Sequence, residues 1–222
     1  MTKSFLPDLK ITTKPISVFL FISIFNFLLL SQNYLPEERK GDWLNAGYLR
    51  FLDTNLTISK INNVLDYGAT NDGSVQDINN QKSIMAAIED KDTNGITLIY
   101  FPPGTYTISY MIRINGEKNI ILRGDGSNKT RLIFDHANAN HQPNIYLRKG
   151  ENIGVENLYI ERADDAEHGD NIRIKYSKNC WISGVESYKA ISNHIYIARS
   201  KNIEIRGCHI HHAWDYGGGG HG

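Results

Sequence analysis

Two short segments concentrate the residues able to do acid–base chemistry. The first is Glu161-Arg162-Ala163-Asp164-Asp165-Ala166-Glu167-His168-Gly169-Asp170. The second is His209-Ile210-His211-His212-Ala213-Trp214-Asp215-Tyr216, followed by four glycines, His221 and Gly222. Two chemistries suit these residue types. Paired carboxylates, one as acid and one as base or nucleophile, hydrolyse glycosidic bonds; Asp164, Asp165 and Asp215 are the candidates. In the alternative, a base removes the proton beside a uronate carboxylate while a cation neutralises the developing charge. Lys189, Arg162 or a histidine, His212 and His221 foremost, offers that base. An arginine offers the cation, or Ca²⁺ held by oxygen ligands from Asp164, Asp165, Glu167 and Asp170, without EF-hand spacing. His211, His212 and His221 show no zinc-ligand spacing. The Gly217–Gly220 run lacks the Lys and Ser/Thr of a phosphate loop, so no nucleotide is expected. Four glycines beside Trp214 and Tyr216 instead let backbone approach a ligand.

Such distant segments meet only if the fold stacks them, and a repeat indicates that it does. A polar residue, then Asn, then an alternating apolar strand occurs at Lys118-Asn119-Ile120, Glu151-Asn152-Ile153, Lys178-Asn179-Cys180 and Lys201-Asn202-Ile203, at intervals of 33, 27 and 23 residues. Repeats of this length are units stacked on one another. The units read as strands, so the chain is all-β, a parallel β-helix. The same offsets lay Ile145 over Ile172 and Ile195, and Tyr159 over Glu186 and His209. Glu161 then lies beside Tyr188 and His211, Arg162 beside Lys189 and His212, Asp164 beside Trp214, and Asp165 beside Asp215. Adjacent coils are about 4.8 Å apart. Arg162, Lys189 and His212 are therefore expected to form a cationic stripe suited to a polymer with a carboxylate on each sugar. Tyr188, His211 and Trp214 join Arg162 as substrate-binding residues, Trp214 by stacking. The recurring Asn either builds a hydrogen-bonded ladder onto neighbouring backbone or tolerates the turn.

The 222 residues carry 24 basic and 24 acidic side chains, a formal net charge of zero. That excludes the strongly basic class of nucleic-acid binders. Cys180 and Cys208 make no disulfide scaffold; they read as buried free thiols or, in the second place, as one bridge between neighbouring turns. Lys3, Lys10 and Lys14 precede the uncharged run 16–30, short for a membrane span. It reads as an export signal or an uncleaved anchor, the one expected membrane contact, and places the protein outside the cell or in the cell envelope. The expected organisation is signal or anchor over 1–30, lead-in over 31–60, and β-helix over 61–222. Val64–Tyr67 reads as a strand, Asn71–Ser74 as a turn, and Asn80–Asp90 as a short helix capped by Asn79 or Asn80 that plugs the solenoid's open end. Ile96–Phe101 is a strand, broken by Pro102-Pro103-Gly104.

Three stretches carry a family resemblance: Asn63–Gly73, the helix Asn80–Ala87, and Phe101-Pro102-Pro103-Gly104-Thr105-Tyr106. In order and spacing they resemble the pectin-lyase-like, right-handed parallel β-helix superfamily. They resemble especially the branch that groups rhamnogalacturonase, polygalacturonase-like and epimerase-like pectate lyase domains. Gly220-His221-Gly222 is similar to a polygalacturonase motif and Asp164-Asp165 loosely to another. An Asn-Thr-Asp segment is absent, and Arg173-Ile174-Lys175 precedes Gly-His-Gly, so that role is not carried over. The resemblance implies a carbohydrate and leaves the reaction open among lyase, hydrolase and epimerase; with the cationic stripe, the expected substrate is an acidic polysaccharide such as pectin or rhamnogalacturonan, cut by hydrolysis or β-elimination. A non-catalytic carbohydrate-binding or surface-structural β-helix, or an inactive fragment of such an enzyme, is the competing expectation. The chain ends in a glycine-rich loop after the fourth asparagine corner, which reads as truncation at the C-terminus.

Overall fold

The computed structural model describes residues 57–74, 79–135, 142–163 and 169–212. The expected signal or anchor and nearly all of the lead-in lie outside these residues. Along the chain come β1 (Ile58–Asn63), a 3₁₀ turn (Val64–Tyr67), α1 (Asn79–Glu89), β2 (Ile96–Phe101), β3 (Gly104–Ile108), β4 (Ile112–Asn115) and β5 (Lys118–Gly124). There follow β6 (Thr130–Phe134), β7 (Ile145–Arg148), β8 (Glu151–Glu156), β9 (Tyr159–Arg162) and β10 (Ile172–Lys175). The described chain continues through β11 (Lys178–Ser183), β12 (Glu186–Tyr188), β13 (Ile195–Ala198), β14 (Lys201–Arg206) and β15 (His209–His211).

These strands form three parallel sheets. The six-stranded sheet has the order β1-β2-β5-β8-β11-β14, the five-stranded sheet β15-β12-β9-β6-β3, and the four-stranded sheet β13-β10-β7-β4. Each strand pairs with its counterpart one coil away. The register is the one the offsets predicted: Ile145↔Ile172↔Ile195 and Tyr159↔Glu186↔His209. Alternation then sends one set of side chains inward. Ile99, Leu122, Val155 and Ile182 stack as a fully buried column on one wall, and Ile114, Leu147 and Ile174 on another. Burying such branched side chains contributes roughly 1.5–3 kcal/mol each. Cys180 is buried, Cys208 packs at the core's margin, and neither forms a disulfide.

The asparagine corners combine both anticipated roles. Asn119, Asn152, Asn179 and Asn202 all adopt left-handed backbone, φ 54–58°. Each side-chain amide after the first donates to the amide oxygen of the preceding coil: Asn152 to Asn119 (2.9 Å), Asn179 to Asn152 (3.2 Å) and Asn202 to Asn179 (3.0 Å). The ladder thus runs amide to amide, not amide to backbone.

Two local expectations at the entrance need correction. Val64–Tyr67 is a 3₁₀ turn, not a strand, because Gly68 closes it in left-handed conformation at φ 93°. Asn80 does not cap α1. It lies inside the helix, 1% exposed, where its oxygen accepts from the Thr70 backbone (2.7 Å) and its amide donates to the Thr107 carbonyl (2.9 Å). The side chain fastens the plug helix to the solenoid wall. Gly104 allows the same wall to close, since a Cβ there would lie 2.4 Å from the Asn71 carbonyl oxygen. Among the described residues no helix is long and apolar enough to cross a membrane.

Candidate functional site on the five-stranded sheet

The outer face of the five-stranded sheet gathers the polar side chains that the stacking predicts. Ile160 and Ser187 point inward and are fully buried, so Tyr159, Glu161, Glu186, Tyr188, His209 and His211 face out. At the ends of β12 and β15 the backbone turns left-handed, with φ 49° at Lys189 and 58° at His212. The turn brings both side chains onto the same face. Lys189 Nζ lies 5.5 Å from the Tyr188 ring centre and 3.9 Å from Glu161. The His212 ring is 4.9 Å, and the His211 ring 5.1 Å, from that of Tyr188.

Glu161 is the hub of the upper part of this face. It accepts a hydrogen bond from the Tyr159 hydroxyl (2.8 Å) and pairs with Arg131 at 3.5 Å. Arg131 also covers the Tyr159 ring at 4.2 Å. Burial, and then the bond to Glu161, push the Tyr159 phenol above its ordinary range. Tyr159 therefore stays neutral and a donor.

The lower part holds a chain of proton-carrying groups. His211 Nε2 is 3.1 Å from Glu186 Oε1, and His211 Nδ1 is 2.7 Å from His212 Nδ1. If His211 donates to the carboxylate through Nε2, a neutral ring accepts from His212 at Nδ1, and an added proton reverses that second bond. Glu186, His211 and His212 thus form a carboxylate–imidazole–imidazole relay whose outer end, His212, is exposed. His209 stacks on His211 with ring centres 4.0 Å apart.

Arg162 departs from the expected stripe. The register places it beside Lys189 and His212, but it remains in extended β9 and keeps the inward phase, 1% exposed. Its Nη1 donates to the Gln142 carbonyl (2.5 Å) and lies 3.4 Å from Asn144 Oδ1. Burial pulls the guanidinium down to about 10, so it stays charged at neutral pH. The cations on this face include instead the exposed Arg131, the half-buried Lys189 and, when protonated, the exposed His212. Asp164, Asp165, Glu167, Trp214, Asp215 and His221 lie outside the described residues.

Asp170 is also occupied otherwise than expected. It is 2% exposed, pairs with Arg173 at 2.5 Å and accepts from Asn193 at 2.7 Å. A buried carboxylate committed to an arginine does not fit a calcium ligand, which must turn its oxygens to a shared ion. A different cluster can hold a metal ion: ligand atoms of Glu186, His209 and His211 all lie within 4.8 Å of one another. The signal was in the sequence. His209-x-His211 puts two imidazoles on one face of a strand, and the 23-residue offset sets Glu186 opposite His209.

Residues 61–140 match the family model described as rhamnogalacturonase A/epimerase, pectate lyase-like. No curated protein matches the sequence. Among solved structures, the mannuronan C-5 epimerase AlgE6 A-module of Azotobacter vinelandii is 21% identical. It aligns over 67% of this chain and 44% of its own, with a TM-score of 0.49. PfbA, a surface adhesin of Streptococcus pneumoniae, is 18% identical over 66% of this chain and 39% of its own, with a TM-score of 0.42. The chain therefore spans less than half the length of either. With the coil-to-coil parallel pairing, the plug helix and the match over its first coils taken together, the chain has a pectate-lyase-like, right-handed parallel β-helix fold.

Proposed function

We propose that this protein is a secreted or cell-envelope enzyme that cleaves an acidic, uronate-containing polysaccharide such as pectin or rhamnogalacturonan. The observation that carries the reading is the relay Glu186–His211–His212 beside Lys189 and Tyr188 on one exposed sheet face. Proton removal beside a uronate carboxylate needs a positioned base and a nearby cation. His212, oriented by His211, supplies the base. Lys189 and Arg131 pair with the substrate carboxylate, whose neutralisation eases departure of the proton. Tyr188 offers its ring to a sugar face. β-Elimination is therefore favoured over hydrolysis, which would rest on Asp164, Asp165 and Asp215.

The test is a panel of polygalacturonate, rhamnogalacturonan and alginate incubated with the full chain. Elimination leaves an unsaturated uronate that absorbs in the ultraviolet, and His212→Ala should abolish that signal while leaving polymer binding in place. Reducing ends without the absorbance would establish hydrolysis instead. Binding without either product would make the protein a non-catalytic carbohydrate-binding module.

A further inference from the structure

The outer face of the four-stranded sheet carries its own pattern. One column reads Arg113, Tyr146, Arg173, Tyr196 from β4 to β13, cation and aromatic in alternation. Arg173 stands 5.9 Å from the ring centres of both Tyr146 and Tyr196, and Arg113 stands 5.9 Å from Tyr146. A second column places Arg148 beside Lys175. At the following corner Lys149, Tyr176 and Arg199 are left-handed, with φ 53°, 57° and 52°, which turns their side chains outward. Arg199 donates to the Tyr176 hydroxyl at 2.9 Å and lies 5.5 Å from its ring centre.

One arginine therefore stands on every rung, about 4.8 Å of solenoid axis apart: Arg113 and Arg173 share the first column, Arg148 stands in the second and Arg199 at the corner beyond it, so the four zigzag down the face. Two depressions flank the line. One, of about 260 Å³, is lined by Arg173, Lys175, Asn193 and Tyr196 among others. The other, of about 320 Å³, is lined by Lys149, Tyr176, Lys178, Arg199 and Lys201 among others. The carboxylates nearby are engaged: Asp170 with Arg173, and Glu151 with Lys118 and Lys178. In a chain of zero net charge this is a segregated positive field.

We propose that this face is a second binding surface, separate from the five-stranded face, that grips a carboxylated polysaccharide strand along its track of arginines and tyrosines. Guanidinium forks on successive rungs suit a polymer that carries carboxylates along its length, since a fork not already held by a carboxylate, as Arg173 is by Asp170, takes one by two parallel bonds. The tyrosines between them give flat apolar faces to sugar rings. Naming the ligand a uronate polymer rests on the function proposed above; the positive aromatic track does not.

The experiment compares the full-length wild type, Arg148→Gln/Arg199→Gln and His212→Ala in polygalacturonate affinity gels and in elimination assays on the same samples. Thermal unfolding serves as a folding control, and Tyr176→Ala is a second variant should the arginine pair fail to fold. Loss of two charge-assisted contacts should weaken polymer retention about tenfold or more. It should also flatten the dependence of retention on salt, whereas His212→Ala retains the polymer. Unchanged retention in the folded arginine or tyrosine variant overturns this surface and leaves the elimination reading standing. Retention lost by the variants while no preparation eliminates upholds this surface and overturns the other. Failure of the wild type to retain any uronate polymer, or equal retention of single-stranded DNA, overturns the carboxylated-polysaccharide assignment.

Discussion

Gly154 lies directly beneath the indole of Trp181. A Cβ at Gly154 would sit 2.4 Å from the ring, closer than any side chain tolerates. The two residues face one another across β8 and β11 on the outer side of the six-stranded sheet. There Trp181 is 2% exposed and its Nε1 donates to Glu156 at 2.6 Å. Glu156 also pairs with Arg123 at 2.6 Å. Gly154→Ala must lift the indole and should cost about 1–3 kcal/mol. Denaturation midpoints of a double-mutant cycle check this: in a Trp181→Ala background the same alanine should cost almost nothing. Equal costs in both backgrounds would show that the indole does not set the requirement for glycine.

The asparagine ladder combines two contributions that substitution can separate. Asn152 occupies left-handed backbone and exchanges amide bonds with the coils on both sides. Asn152→Ala loses the bonds and meets the left-handed penalty, about 1–2 kcal/mol of conformational cost and about 1 kcal/mol per bond. Asn152→Gly removes only the bonds. Chemical denaturation should rank wild type above Gly above Ala. A glycine variant no better than alanine would deny the conformational share.

Much of this fold was legible because two periodicities coincide. Side chains alternate every two residues, and coils repeat at 27 and 23, so aligning Asn152, Asn179 and Asn202 fixed which residues became neighbours. That alignment correctly set Tyr188 by His211 and Lys189 by His212. It did not reveal that Lys189 and His212 leave the strand in left-handed conformation while Arg162 does not. One backbone torsion decides whether a cation lines a groove or stays buried, and residue type alone does not announce it. The positive track on the four-stranded sheet escaped for a related reason. Arg113 and Arg173 share a column but alternate there with Tyr146 and Tyr196, and Arg148 and Arg199 stand in two other columns, so no single column shows a run of arginines.

His194 should make stability fall in acid. It is 4% exposed, packed against Ser187 at 2.9 Å, and burial holds its imidazole down to about 4, with His211 adding to the effect. Between pH 6.5 and 4 the unfolded chain accepts a proton that the folded chain refuses. The contribution is therefore complete above pH 6.5 and is lost progressively as pH falls toward 4 and below. His194→Asn would repeat the Asn144 and Asn171 of its column. Urea midpoints across this range should fall less steeply in the variant; parallel curves would place the acid sensitivity elsewhere.

Donor chemistry decides which cation the Glu186, His209 and His211 cluster prefers. Calcium takes oxygen ligands, usually six to eight of them, whereas two imidazoles and one carboxylate suit zinc and its neighbours in the transition series. The two rings are stacked 4.0 Å apart, so binding requires only that they tilt until both nitrogens meet one ion. Zinc at a hundredfold its dissociation constant should stabilise the full chain by about 2.7 kcal/mol, while calcium at that concentration does not. His209→Ala should remove the gain and leave metal-free stability almost unchanged, because that side chain is 70% exposed. The thermal midpoint with and without each ion reads this directly. A larger response to calcium than to zinc would mean that oxygen ligands elsewhere, and not these imidazoles, bind the ion.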